Sequence, residues 1–377
     1  MTSSSRIVVA LTVALCALPL SAGAAGGNAH LGARASLLLD GAFGPDGALV
    51  ATAGEDGTAR IWRVADGRAL RVLRHPDPVT LVAFSRDGRR VLTTMAFEHE
   101  LRIWGVASGR RLLTLRASGS SVNSATFSPD DKLVAAATAD GKTWIWSAAS
   151  GRVVHVLRGH VREVKTVAFN ADGTLVVTAS DDGTARIWSV ADGRSLRVLR
   201  LAPSNDDDAP HWTAVFSPDG TFVLGAGRGG PARIWDTASG SRVHILGHAT
   251  SGAATIAFDG RRVVTAGLDG RIRIWDARSG RALHALRAAG DWVWTALFSP
   301  DGELVLGAGM GGPAQLWDAR SGRLRHTLPG EVAAVGADGL ALFSPDGRRV
   351  LTAGTDGKAR LWDTASGRRL RTLSPGS

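Results

Sequence analysis

The chain has 377 residues, a net charge of +10 and 44% hydrophobic residues, with 47 Gly, 12 Trp, no Tyr and a single Cys. That composition is globular, and it excludes a disordered or collagen-like chain, a disulfide framework and a multi-cysteine metal site. The positive charge is nearly all arginine, and its placement along the chain decides how it is read.

The first segment stands apart. Arg6 supplies a short positive start, residues 7–20 are apolar and uncharged, and Ser21-Ala22-Gly23-Ala24 offers small residues of the Ala-x-Ala type. This reads as a secretory signal peptide over residues 1–24, cleaved after Ala24. The apolar run falls short of the roughly 20 residues that a membrane span needs. Cys16 lies within it, so the mature chain carries no thiol and no membrane span. Residues 25–36 follow as a short linker, and residues 37–377 form one domain. Such a chain is expected to be secreted or periplasmic.

From residue 37 onward the sequence repeats. Trp62, Trp104, Trp146, Trp188, Trp235, Trp275, Trp317 and Trp362 recur with a period of about 42 residues, the mark of a propeller blade or a solenoid unit. The copy beginning at Val164 shows the unit clearly. An alternating apolar segment ends in Phe169, and Asn170-Ala171-Asp172-Gly173 makes a turn. A second strand runs through Leu175 to Thr178, and Asp182-Gly183 is a tight hairpin turn. Thr184 to Trp188 is the third strand, and Ser195 to Leu199 the fourth. Four short antiparallel strands in this length leave no room for a helix. One such unit cannot bury both of its faces, whereas units stacked around an axis cover one another. The expected fold is all-β: an eight-bladed β-propeller of four-stranded antiparallel blades, with seven blades and one displaced unit as the alternative. Whether residues 28–33 add a strand to the last blade is left open, because Arg369 to Leu373 already claims its outer place.

These residues resemble the tryptophan–aspartate (WD) repeat family. The marks are a Gly-His pair, a Ser or Thr in the second strand, an Asp before the turn Gly, and Trp-Asp closing the third strand. The resemblance covers about residues 37–373. It implies a hydrogen-bonded tetrad, which maps best onto His160, Thr178, Asp182 and Trp188, and next onto His248, Thr265, Asp269 and Trp275. Other copies depart from it: Arg34 stands where the first His belongs, Glu98 takes the second Asp position, and Gly229-Gly230-Pro231 and Gly311-Gly312-Pro313 replace the Asp turns of the fifth and seventh copies.

Candidate binding residues stand where the repeat breaks. Trp212 and Trp294 each lie four residues before the strand-ending Phe, where the fourth copy has Lys165 and the sixth Ala254. In a propeller of this family that position lies near the channel mouth. Trp292 and His211 stand beside them. The expected partner site is therefore Trp212, Trp294, Trp292, His211 and Lys165. The competing reading makes the two indoles packing that fills space over glycine-rich strands. Arginines recur on outer strands around the ring, including Arg71, Arg197 and Arg371. This ring-wide spread favours protection of exposed edges over a nucleic-acid surface. His155, His244, His284 and His326 recur at one outer-strand position and read as structural. Asn205-Asp206-Asp207-Asp208 lacks calcium-loop spacing and reads as a solvated acidic loop. No His pair has zinc spacing, and no nucleophile elbow, phosphate loop or dinucleotide fingerprint is present. The resulting expectation is a monomeric, non-enzymatic scaffold that binds protein partners outside the cytoplasm and needs no cofactor or metal. The alternative is a secreted enzyme or glycan-binding propeller with its site at the channel mouth.

Overall fold

The computed structural model describes residues 37–374, except 202–211, 228–229, 248–252, 291, 310, 331, 333, 336–337 and 355. Eight four-stranded antiparallel sheets follow one another along the chain. They span residues 38–74, 79–116, 122–157, 164–200, 212–246, 253–287, 293–328 and 341–373, and are called blades 1 to 8. Within each blade the strands are ordered as they occur in sequence. Among the described residues the remaining pairing is a short ladder of 334–335 with 338–339, just before blade 8, and one isolated bridge between Val332 and Gly354. Eight blades are thus present, each built from one continuous stretch.

The turns explain the strand boundaries. In blade 5, Asp219 Oδ1 accepts from the Ser217 hydroxyl at 2.6 Å and the Thr221 amide at 3.1 Å, and Gly220 takes the left-handed φ of 73° that closes the turn. Second and third strands are buried along almost their whole length, whereas fourth strands are mostly exposed. That gradient follows from stacking: inner strands are covered on both faces, and the outer strand forms the rim.

The core lies between blades. Ile187 and Leu199 of blade 4 pack with Trp212, Phe216 and Trp235 of blade 5. The same kind of layer joins blade 8 to blade 1, where Leu351, Leu361 and Leu373 pack with Phe43, Val50 and Trp62. The ring therefore closes by packing, with no exchanged strand among the described residues.

At the rim, one recurrent fourth-strand position reaches across to the next blade. Arg71 Nε donates to the Ala107 carbonyl at 3.1 Å, Arg197 Nε to Ala238 at 2.9 Å, and Arg371 Nη2 to Ala65 at 3.2 Å across the seam. His244, His284 and His326 do the same through Nε2, to Arg278, Arg320 and Ala365 at 2.6, 2.8 and 2.9 Å. A carbonyl only accepts, so each of these imidazoles carries its proton on Nε2. Several rim arginines and histidines are thus inter-blade latches.

Candidate functional site

The recurrent Trp is held in two ways. In blades 1, 2, 4, 6 and 8 its indole N–H donates to a hydroxyl on the neighbouring strand: Trp62 to Thr52, Trp104 to Thr93, Trp188 to Thr178, Trp275 to Thr265 and Trp362 to Thr352, all at 2.8–2.9 Å. Blade 4 extends this into a chain. Thr178 passes its own proton to His160 Nε2 at 2.8 Å, and His160 Nδ1 donates to Asp182 at 2.8 Å. Burial would raise the Asp182 carboxyl, but the bonds from His160 and Thr184 outweigh it and hold the group below the usual carboxylate range. Every proton in the chain has one donor and one acceptor, so the column is satisfied while buried.

Blade 2 builds a similar column from a residue that sequence reasoning missed. His75 Nε2 meets Thr93 at 2.9 Å, and its Nδ1 faces the Leu73 carbonyl at 3.1 Å, which takes the carboxylate's place. Burial, helped by the charge of Arg102, pushes the imidazole down to about 4, so it stays neutral and can accept. The signal was available: His75 precedes Thr93 by 18 residues, as His160 precedes Thr178. Glu98, expected at the Asp position, takes no such part; Glu100 pairs with Arg102 at 2.7 Å instead. In blades 1, 6 and 8 the turn Asp binds the Arg two residues before the Trp, as Asp56–Arg60, Asp269–Arg273 and Asp356–Arg360 at 2.5–2.7 Å. In blade 4 the Arg at the same position, Arg186, lies over the ring of Trp188 at 5.9 Å. His248 and Arg34 lie outside the described residues.

Blades 3, 5 and 7 have no hydroxyl for the Trp. Pairing register puts Ala136, Gly225 and Gly307 at that place. Each of these blades carries one more buried indole: Trp144, Trp212 and Trp294, exposed by 9%, 1% and 5%. Trp144 stacks on Trp146, with ring centres 5.9 Å apart. Trp212 lies so close to Gly227 that a Cβ there would overlap its ring, and it extends to Gly230, in the turn where blade 4 holds Asp182. In blade 5 an apolar ring therefore occupies the space of the polar column. Of the two readings open for Trp212 and Trp294, their burial sits with packing rather than with presentation to a partner at the channel mouth. For Trp212 the glycines of the second strand and its turn leave the room that the ring fills.

Trp292 is different. All the other tryptophans are buried, and Trp292 is 45% exposed. It stands at the entry to blade 7 with its ring edge-on to Trp294, the centres 5.9 Å apart and the planes at 88°. Gln315 accepts the Ala289 amide at 2.8 Å and ties down the same connection. His211 lies outside the described residues, as does the Ala254 side chain. Lys165 is locked in place: its ammonium meets Glu163 at 2.6 Å and Asp181 at 3.2 Å, while Asn123 bonds the Val164 carbonyl at 2.9 Å. Burial pushes the Asp181 carboxyl up to about 6, against the pull of Lys165. The four described residues differ in environment: Trp212 and Trp294 are buried, Trp292 is exposed and Lys165 is ion-paired.

The innermost strands carry neutral side chains one residue before the Phe, among them the half-buried Ala83, Thr126, Ala257, Leu297 and Leu342. Among the described residues no group of His, Cys, Asp and Glu is placed to hold a metal ion. No helix among them is long and apolar enough to cross a membrane.

The architecture defines a β-propeller of eight blades. Comparison with known proteins agrees: residues 32–63, 109–147, 151–189, 240–276 and 322–363 match the family described as WD domain, G-beta repeat. The chain belongs to that family. It is 44% identical over 52 residues to a ribosome biogenesis protein BOP1 homolog of Caenorhabditis elegans, a match covering 14% of this chain and 8% of that protein. The chain thus spans a small part of that relative. Among solved structures, the computationally designed Ika8 protein superimposes with a TM-score of 0.74 at 23% identity, over 88% of this chain and 98% of that one. At that identity the likeness is one of fold.

Proposed function

We propose that this propeller is a non-enzymatic platform for protein partners, exported from the cytoplasm by its N-terminal segment, and that Trp292 anchors the partner. The observation that carries the reading is the contrast in burial: the ring buries every other indole and leaves this one at the surface, braced by Trp294. A rigid, exposed Trp on a rigid frame loses little entropy on contact and is the residue type most enriched at interface hot spots. Membership of the WD repeat family supports a binding role over catalysis. Residues 1–24, which lie outside the described residues, supply the export signal.

Two experiments test this. Mass spectrometry of the chain recovered from its producing cell should give an N-terminus at Ala25; an intact Met1 would overturn the export reading. Affinity capture from the envelope fraction should retain a protein on the wild-type ring that Trp292→Ala loses. The same set on both baits, or only polysaccharide on the wild type, would contradict the platform.

A further inference from the structure

The rim has a composition unlike the rest of the surface. The eight fourth strands contain no Asp or Glu, yet hold Arg71, Arg111, Arg197, Arg242, Arg325 and Arg371 among others. They also carry most of the exposed large aliphatic side chains, from Val72 to Leu370. Each is an edge strand, paired on one side only. An exposed edge has free N–H and C=O groups that will pair with any extended chain. Charge then decides which chain. A second copy of this rim meets arginine with arginine and is repelled, whereas an acidic strand is attracted.

Blade 3 presents two adjacent exposed aliphatic side chains on this edge. Its fourth strand is Val153–Leu157, with Val153 and Val154 exposed by 49% and 43%. Exposed Arg152 and Arg158 flank it, and their guanidinium groups have no partner among the described residues. His155 occupies the latch position but makes none of the inter-blade bonds seen at His244, His284 and His326. Its ring lies against Gly193 of blade 4, as the latch rings lie against Gly280, Gly322 and Gly367, but without their hydrogen bond. Val156 pairs with Trp144, while the Ser147 amide bonds the Arg152 carbonyl one turn of the ladder away. Continuing that alternation along the ladder turns the Val156 N–H outward.

We propose that the outer edge of blade 3 accepts an acidic extended peptide as a fifth strand. Its backbone pairs along residues 153–157, its apolar side chains cover Val153 and Val154, and its carboxylates meet Arg152 and Arg158. Strand addition draws its affinity from main-chain bonds and its selectivity from alternate side chains. The site is separate from Trp292 and does not depend on the platform reading.

The test uses the full chain and two capped probe peptides, Ac-Glu-Val-Glu-Val-Glu-Val-NH2 and its Lys-Val counterpart. Hydrogen exchange is followed at the blade 3 amides. The acidic peptide should protect the Val156 amide, and the basic one should not. The double variant Arg152→Glu, Arg158→Glu should weaken the acidic peptide by about tenfold or more at low salt and reverse the preference, because rim charges set selectivity. Trp292→Ala should leave all of this unchanged. Absent protection at 153–157 with the acidic peptide, equal protection by both peptides, or binding indifferent to charge reversal would each overturn the proposal. A matching thermal midpoint for the charge-reversed variant shows that it folds.

Discussion

Blades 4 and 5 share a strand order and a recurrent Trp, yet stabilise it by opposite means. Blade 4 threads Trp188, Thr178, His160 and Asp182 into one column of hydrogen bonds. Blade 5 has Gly225 in place of the hydroxyl and lays Trp212 over Gly227 instead. The first solution gains from satisfied polar groups, each worth about 0.5–1.5 kcal/mol net. The second gains from apolar area and gives up a bond, since the Trp212 N–H has no partner among the described residues. The lesson is that a repeat fold conserves the volume beside its Trp, and either chemistry can fill it. Blades 3 and 7 also lack the hydroxyl and also carry an extra buried indole, Trp144 and Trp294.

The two kinds of blade should respond differently to substitution. Trp212→Ala empties a large apolar space and is expected to cost about 3–5 kcal/mol, read by urea denaturation. Gly307→Thr restores the missing hydroxyl of blade 7 but drives a side chain into Ile272 and Trp317. It should cost about 1–3 kcal/mol by overpacking, measured in the same way. A gain in stability there would show that blade 7 can host the polar solution after all. Thr178→Val keeps the volume of blade 4 but strips the bonds of Trp188 and His160, for a loss of about 1–2 kcal/mol.

A smaller effect is expected from Asp40 on the first strand of blade 1. Its carboxylate accepts the Val82 amide of blade 2 at 2.9 Å and the Gly41 amide at 2.8 Å. Burial pushes the carboxyl up to about 7 from 3.8, against the pull of those two bonds. The folded chain then holds a proton that the unfolded chain has released between these values. Stability from this group is therefore complete at the acid end and is lost as pH rises through about 7. Thermal midpoints across that window should show the slope, and Asp40→Asn should flatten it.

Much of the ring was legible in the sequence because its period is written in large residues. The eight Trp positions and the Asp-Gly turns fix strand number and blade count. The column of blade 4 was legible for the same reason, as Gly159-His160 and Asp182-Gly183 stand in register. The blade 2 column left only the spacing of His75 to Thr93 as a mark, because His75 follows Arg74 instead of Gly and its second partner is a backbone carbonyl. The packing role of Trp212 was open in the sequence as one of two readings, because the second strand is glycine-rich, but its particular partner, Gly227, follows only from the register. The rim latches escaped for a related cause: Arg71 and His326 perform one task with different side chains, and their acceptors are backbone carbonyls of the next blade.

The smallest effect on folding belongs to Trp292→Ala, which should change stability by less than about 0.5 kcal/mol, as a surface substitution does. The most direct measurement sets that variant beside Trp212→Ala and the wild type in one series of urea melts. The midpoint should fall steeply for Trp212→Ala and stay at the wild-type value for Trp292→Ala. Equal losses in the two, or a Trp212→Ala chain as stable as the wild type, would contradict the division of the indoles into eleven that build the ring and one that faces out.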